Sequence, residues 1–122
     1  MSSHPTFGNG KICYIDLPSI DINSSAAFYE KIFDWNIRRR DDGTISFDDR
    51  VGEVSGMWVL GREPATHIGF VISIMVFDIL ATIDLIANNG GKIIEVNLEG
   101  REKLARFSDP AGNIWGLYEH NA

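Results

Sequence analysis

Phe107-Ser108-Asp109-Pro110-Ala111-Gly112-Asn113-Ile114-Trp115-Gly116-Leu117-Tyr118-Glu119 reads as strand, tight turn, strand. Asp-Pro opens a turn because proline presets φ for a corner position, and Gly112 and Asn113 tolerate positive φ. Beyond the turn, successive side chains point to opposite faces. Ile114, Gly116 and Tyr118 share one face; Trp115, Leu117 and Glu119 share the other.

Upstream of this hairpin the same half of the chain carries three further elements before the strand Leu104 to Ser108. His67 to Val76 is a β-branched strand. Asp78 is an N-cap type, and Ile79, Ile83, Ile86 and Ala87 line one face of a helix that stops at Asn89-Gly90-Gly91. Lys92 to Leu98 is a strand, with Glu99-Gly100 as the turn that follows.

The first half repeats the order. Lys11 to Leu17 alternates, with Ile12, Tyr14 and Asp16 on one face and Cys13, Ile15 and Leu17 on the other, and Pro18 ends it. Asp21, Asn23 and Ser24 are N-cap types before a helix running to about Asp34. Phe28, Ile32 and Trp35, flanked by Tyr29 and Phe33, form its core stripe. Asn36 to Arg40 is a polar edge strand whose three arginines face solvent. Asp41-Asp42-Gly43 is a hairpin turn. Thr44 to Asp48 and Glu53 to Leu60 complete the set, and Gly56 inside the last strand signals a bulge or a close backbone approach. Met1 to Gly10 is a loose lead-in, and residues 61–66 are a linker.

Both halves therefore read strand, helix, strand, strand, strand. The expected fold is α+β: two βαβββ modules, residues 11–60 and 67–119, in a single domain over 1–122. A curved four-stranded sheet with one helix covers only one of its faces. Two such mixed sheets would enclose a cleft, and a cleft is the default binding site.

Composition narrows the partners. The 122 residues carry a formal charge of −6 and 44% apolar residues, with no basic run beyond Arg38-Arg39-Arg40. That argues against nucleic acid or an anionic membrane as the main partner. The single cysteine, Cys13, excludes an internal disulfide and reads as a buried, inert thiol. No secretory signal or membrane-spanning stretch is visible, so a cytoplasmic location is expected.

Several local patterns carry a family likeness. Asp21-Ile22-Asn23-Ser24-Ser25-Ala26-Ala27-Phe28-Tyr29-Glu30-Lys31-Ile32-Phe33 is similar to the first helix of the glyoxalase, bleomycin-resistance and extradiol-dioxygenase (vicinal oxygen chelate) superfamily. His67-Ile68-Gly69-Phe70-Val71 resembles the strand opening its second module, and Asn89-Gly90-Gly91-Lys92 its helix exit. Asp109-Pro110-Ala111-Gly112-Asn113 resembles its Asp-Pro-x-Gly-Asn hairpin. Within the superfamily the chain resembles the small group labelled as related to lactoylglutathione lyase.

The resemblance implies a divalent metal held by four side chains, usually His and Glu, from the first and last strands of the modules. Carried over by position, those places fall on Tyr14, a residue among Met57 to Val59, His67 and Gly116. Only His67 matches, and a metal needs several nitrogen or oxygen donors converging. No cofactor is expected, with a divalent metal as the less favoured alternative. The family likeness then implies a protein that binds a small organic molecule in its cleft, as the bleomycin-resistance type does with a cationic drug. Tyr14, Asp16, Met57, Trp58, His67, Ile114, Gly116 and Tyr118 are the candidate lining residues. The alternative is a lyase or isomerase working by proton transfer, with His67 as base and Tyr14 as hydroxyl donor. Asp16 or Arg106 would be the remaining acid–base candidate, the facing of Arg106 being open. His4 and His120 lie in tails and carry no role. A homodimer is expected, as in relatives that build the cleft across an interface.

Overall fold

The computed structural model describes residues 4–66 and 69–120, and the chain divides into two compact units, one ending at Arg62 and one beginning at Glu63. The first unit contains β1 (Tyr14–Ser19), α1 (Ile22–Phe33), β2 (Asn36–Arg39), β3 (Ile45–Asp48) and β4 (Ser55–Leu60). Its sheet has the order β1-β4-β3-β2, with β1 parallel to β4 and the other pairs antiparallel. The second contains β5 (Ser73–Met75), α2 (Ile79–Asn88), β6 (Lys92–Asn97), β7 (Glu102–Ser108) and β8 (Ile114–His120), in the order β5-β8-β7-β6. Each unit is thus βαβββ, with an open mixed sheet covered on one face by its helix.

In the first unit Asp21 caps α1, its Oδ1 accepting from the Ser24 amide at 3.2 Å. Asp34 ends the helix in the left-handed region at φ 59°, and its amide donates to the Glu30 carbonyl at 3.0 Å. The face that α1 presents to the sheet is aromatic. Tyr29 stacks on Trp35 at 4.6 Å between ring centroids, Trp35 on Phe47 at 4.6 Å, and Phe47 meets Trp58 at 4.8 Å. Gly56 makes room for this stack: a Cβ there would stand 2.1 Å from the Ile15 carbonyl oxygen and 2.4 Å from the Phe47 ring. The glycine marks a close approach, one of the two outcomes its place in the strand signalled.

Several sequence expectations change here. β1 starts at Tyr14 and runs through Pro18 to Ser19. Proline is tolerated because β1 is an edge strand and needs a ladder donor on one side only. Cys13 lies before the strand and is exposed, so the buried thiol is corrected. The lead-in is held down as well: the Glu53 carboxylate accepts from the Thr6 amide at 3.1 Å and from the Thr6 hydroxyl at 3.0 Å, and pairs with His4 and Lys11.

In the second unit α2 packs on β6, β7 and β8. Asp78 caps it, accepting from the Ala81 amide at 3.1 Å. The buried Glu119 on β8 takes a further helix-start amide, that of Ile79, at 2.8 Å. The helix buries Ile79, Thr82 and Ile86, whereas Ile83 is half-buried and Ala87 exposed. Thr82 can sit inside because its hydroxyl donates to the Asp78 carbonyl at 2.8 Å. Of the strand expected over 67–76, residues 67 and 68 lie outside the described residues, 69–72 are exposed and not strand, and Ser73–Met75 forms β5. The closing hairpin is tightly bonded. Asp109 Oδ1 accepts from the amides of Ala111 and Asn113 at 3.0 and 2.9 Å, Gly112 takes φ 100°, and Asn113 Oδ1 accepts from the Ala65 amide at 2.9 Å. No helix among the described residues is long and apolar enough to cross a membrane.

Candidate functional site

Alternation along β8 sets the site. Trp115, Leu117 and Glu119 are buried on the helix-covered face, which leaves Ile114, Gly116 and Tyr118 on the open one. Pairing carries that face across the whole sheet. Ser73 on β5 lies beside Gly116, Gly116 beside Arg106 on β7, and Arg106 beside Glu95 on β6. The next row is Met75, Tyr118, Leu104 and Asn97.

The first row borders a cavity of about 250 Å³, which Val71 and Leu104 also line. Gly116 forms part of its floor, and a Cβ at 116 would stand 2.5 Å from Ser73 Oγ and 3.1 Å from a Val71 methyl. The serine hydroxyl thus leans over the glycine. Arg106 Nε lies 3.8 Å from Glu95 Oε1, and both side chains are about half exposed. A second hollow, about 430 Å³, is bordered by Met75, Phe77, Tyr118 and His120. Tyr118 and His120 share a hydrogen bond of 2.9 Å between hydroxyl and Nδ1, so His120 is a partner of a candidate residue and not an idle tail.

The first unit places its candidates differently. Tyr14, Asp16 and Met57 share its open face, with Asp16 beside Met57, Met57 beside Ser46 and Ser46 beside Arg38. Asp16 pairs loosely with Arg62 at 3.8 Å. Trp58 does not join them. It lies on the helix-covered face at 1% exposure, inside the aromatic stack, and is corrected from a lining residue to a core residue. Strand alternation requires this, because Trp58 follows Met57 directly. His67 lies outside the described residues.

Much of this unit's open face is bonded within itself. Asp48 accepts from Arg38 twice at 3.0 Å, from Ser55 at 2.7 Å and from Asn36 at 3.2 Å. Burial pushes its carboxyl up, but the hydrogen bonds from Ser55, Asn36 and Arg38 outweigh that and leave it below the ordinary carboxylate value.

The donor set does not fit the divalent ion that the family likeness implies. Tyr14, Met57 and Gly116 offer a phenol, a thioether and no side chain at three of the four places, and the space at 116 is taken by Ser73. Among the described residues, no three His, Cys, Asp or Glu side chains converge.

Arg106, Ser73 and Glu95 were not singled out as lining residues from sequence. Arg106 was within reach of it: the Asp109 to Asn113 turn sets Ser108 opposite Ile114, and two residues on, Arg106 opposite Gly116. Glu95 was not, because a bulge between Ile93 and Glu95 shifts the register by one residue. Ser73 was not, because a parallel crossover has no turn to count from.

Comparison with known proteins agrees with the fold. The structure is similar to that of a glyoxalase family protein from Bacillus cereus, with TM-score 0.76, 14% identity and coverage of 96% of this chain and 98% of that one. It is similar to a glyoxalase/bleomycin resistance protein/dioxygenase family enzyme from Burkholderia phytofirmans, with TM-score 0.72, 16% identity and coverage of 88% and 96%. The fosfomycin resistance protein FosX from Mesorhizobium loti gives TM-score 0.70, 12% identity and coverage of 93% of each chain. No curated protein matches the sequence. The family model for the Glyoxalase/Bleomycin resistance protein/Dioxygenase superfamily matches residues 11–117. With nearly the whole chain matched and both βαβββ units in place, the chain belongs to that superfamily.

Proposed function

We propose that this member of the superfamily binds a small organic molecule on the open face of its second sheet. The observation that carries the reading is the cavity of about 250 Å³ over Gly116, walled by Val71 and Leu104 and provided with polar groups by Ser73 and Arg106. Apolar walls with a few placed polar groups are what small-molecule sites present. Gly116, having no side chain, leaves room for the Ser73 hydroxyl to lean in over the floor. The mismatched donors at 14, 57 and 116 support binding over metal-assisted chemistry.

The narrower kinship with proteins related to lactoylglutathione lyase belongs to the same proposal as its alternative, with His67 as base. A glyoxalase assay, with and without added nickel or zinc, is expected to show no turnover. The homodimer, checked by light scattering, is likewise part of the proposal.

Binding is tested by amide NMR of the labelled protein against a screen of small neutral, cationic and anionic aromatic compounds. Saturable shifts centred on Gly116, Ser73 and Leu104 are expected. Shifts confined to the first unit would overturn the reading. So would a stoichiometric divalent ion in the purified protein that is lost in His67→Ala.

A further inference from the structure

We infer that the row Ser73, Gly116, Arg106 receives the carboxylate of a small organic acid. This rests on the reading of that face as a ligand site and names the chemistry the site prefers.

A guanidinium offers five N–H donors in a planar fork that matches a carboxylate. Among the described residues, the contact of Arg106 is one approach to Glu95 at 3.8 Å, beyond hydrogen-bond reach. With side chains 45% and 63% exposed, that pair is weak, and it leaves the fork available. Arg38 is the instructive contrast. It spends its fork on Asp48 in two bonds of 3.0 Å, so the same residue type on the first sheet is already satisfied.

Ser73 supplies the second donor. Its hydroxyl has no hydrogen bond among the described residues and leans over Gly116. Neighbouring strands lie about 4.8 Å apart. Ser73 and Arg106 are one strand to either side of Gly116, and the serine hydroxyl fills the place a side chain at 116 would take, so the hydroxyl and the guanidinium border the same cavity. Glu95 stands a strand further out, on the far side of Arg106 from the glycine. Val71 and Leu104 give the body of the acid an apolar rest. The cavity is smaller than the roughly 300 Å³ where drug-sized sites begin, which favours one ring or a short chain.

The net charge of −6 does not oppose this. Charges more than a Debye length away are screened, and the nearest cation decides.

The test compares benzoate, benzamide and benzylamine by amide NMR titration and calorimetry. Benzoate is expected to bind at Gly116 and Ser73 with an affinity that falls as salt rises. Arg106→Gln is expected to weaken it at least about tenfold, the scale of a lost hydrogen bond to a charged group. Arg106→Lys, which keeps the charge without the fork, is expected to fall between the two. Glu95→Gln, which removes the carboxylate beside Arg106, is expected to tighten benzoate binding. Benzoate affinity unchanged in Arg106→Gln would overturn the inference. Benzylamine bound in preference, and lost in Glu95→Gln, would overturn it in favour of a cation site. Benzamide binding as well as benzoate at the same resonances would remove the anion and leave the small-molecule reading standing. No shift from any of the three would remove the inference, and no shift from the whole screen would remove the small-molecule reading as well.

Discussion

The two units are built to one plan and use their polar groups in opposite ways. The first spends them internally: Asp48 gathers Arg38, Asn36 and Ser55 into a bonded ladder across its open face. Among the described residues, the second leaves the side chains of Arg106 and Ser73 without hydrogen bonds around a glycine on the equivalent face. Their covered faces differ too. The first is a stack of Tyr29, Trp35, Phe47 and Trp58, whereas the second sets Ile79 and Ile86 of α2 on a sheet that buries Phe107, Trp115 and Leu117. A duplicated architecture therefore does not imply duplicated chemistry. One copy bonds its open-face arginine to a carboxylate, although the Ser46 hydroxyl beside it lacks a partner among the described residues; the other leaves its open-face arginine without a hydrogen bond there.

Three experiments would break or sharpen that contrast. The largest effect is expected in the aromatic stack. Trp58→Ala should cost about 3–5 kcal/mol, measured by chemical denaturation, because it removes a buried ring that touches two others. A cost below about 1 kcal/mol would mean that Trp58 faces solvent or a ligand and is not core.

The second experiment sets two glycines against each other. Gly56→Ala forces a methyl into a backbone carbonyl and a buried ring, and should cost about 1–3 kcal/mol or more. Gly116→Ala meets chiefly a serine hydroxyl, which can rotate away, so its stability cost should stay under about 1 kcal/mol while benzoate binding is lost. Equal costs at the two positions would erase the distinction between a packed face and an open one.

The smallest effect is expected at the lead-in. The Thr6 amide first, then His4, with the Thr6 hydroxyl and Lys11, hold the Glu53 carboxyl down to about 2 from an ordinary 4.5. A depressed folded value means that the clasp contributes fully above pH 4.5 and is lost as pH falls toward about 2. The Glu53 side-chain carboxyl signal should titrate near that lower value, with the Thr6 amide shifting in step. A midpoint at 4.5 would show the lead-in unclasped.

The element order was legible because both halves carry strong local signals. Asp21 and Asp78 start helices, Gly43, Gly90 and Gly112 turn the chain at positive φ, and alternation splits β8 into its two faces. The hairpin turn even contained the pairing of Arg106 with Gly116. What local signals could not supply were features decided by distant partners. Its place in an apolar run makes Cys13 read as buried, yet the paired strand begins one residue later and the thiol is exposed. Trp58 was a lining candidate, although alternation with Met57 places only one of the two on the open face. Ser73 depends on a parallel register, and Glu95 on a bulge, and neither leaves a mark in its own neighbourhood of sequence.

The position of β5 bears on how the protein is made. β5 is an edge strand whose one sheet neighbour is β8, the strand of that sheet furthest from it in sequence. Just upstream of it, Ala65 bonds to Asn113, 48 residues later. During synthesis, β5 and the residues leading to it leave the ribosome with no strand to pair with until α2, β6, β7 and β8 have followed. The serine side of the pocket is then the last part of this sheet to be assembled, so a chain cut off before β8 lacks it.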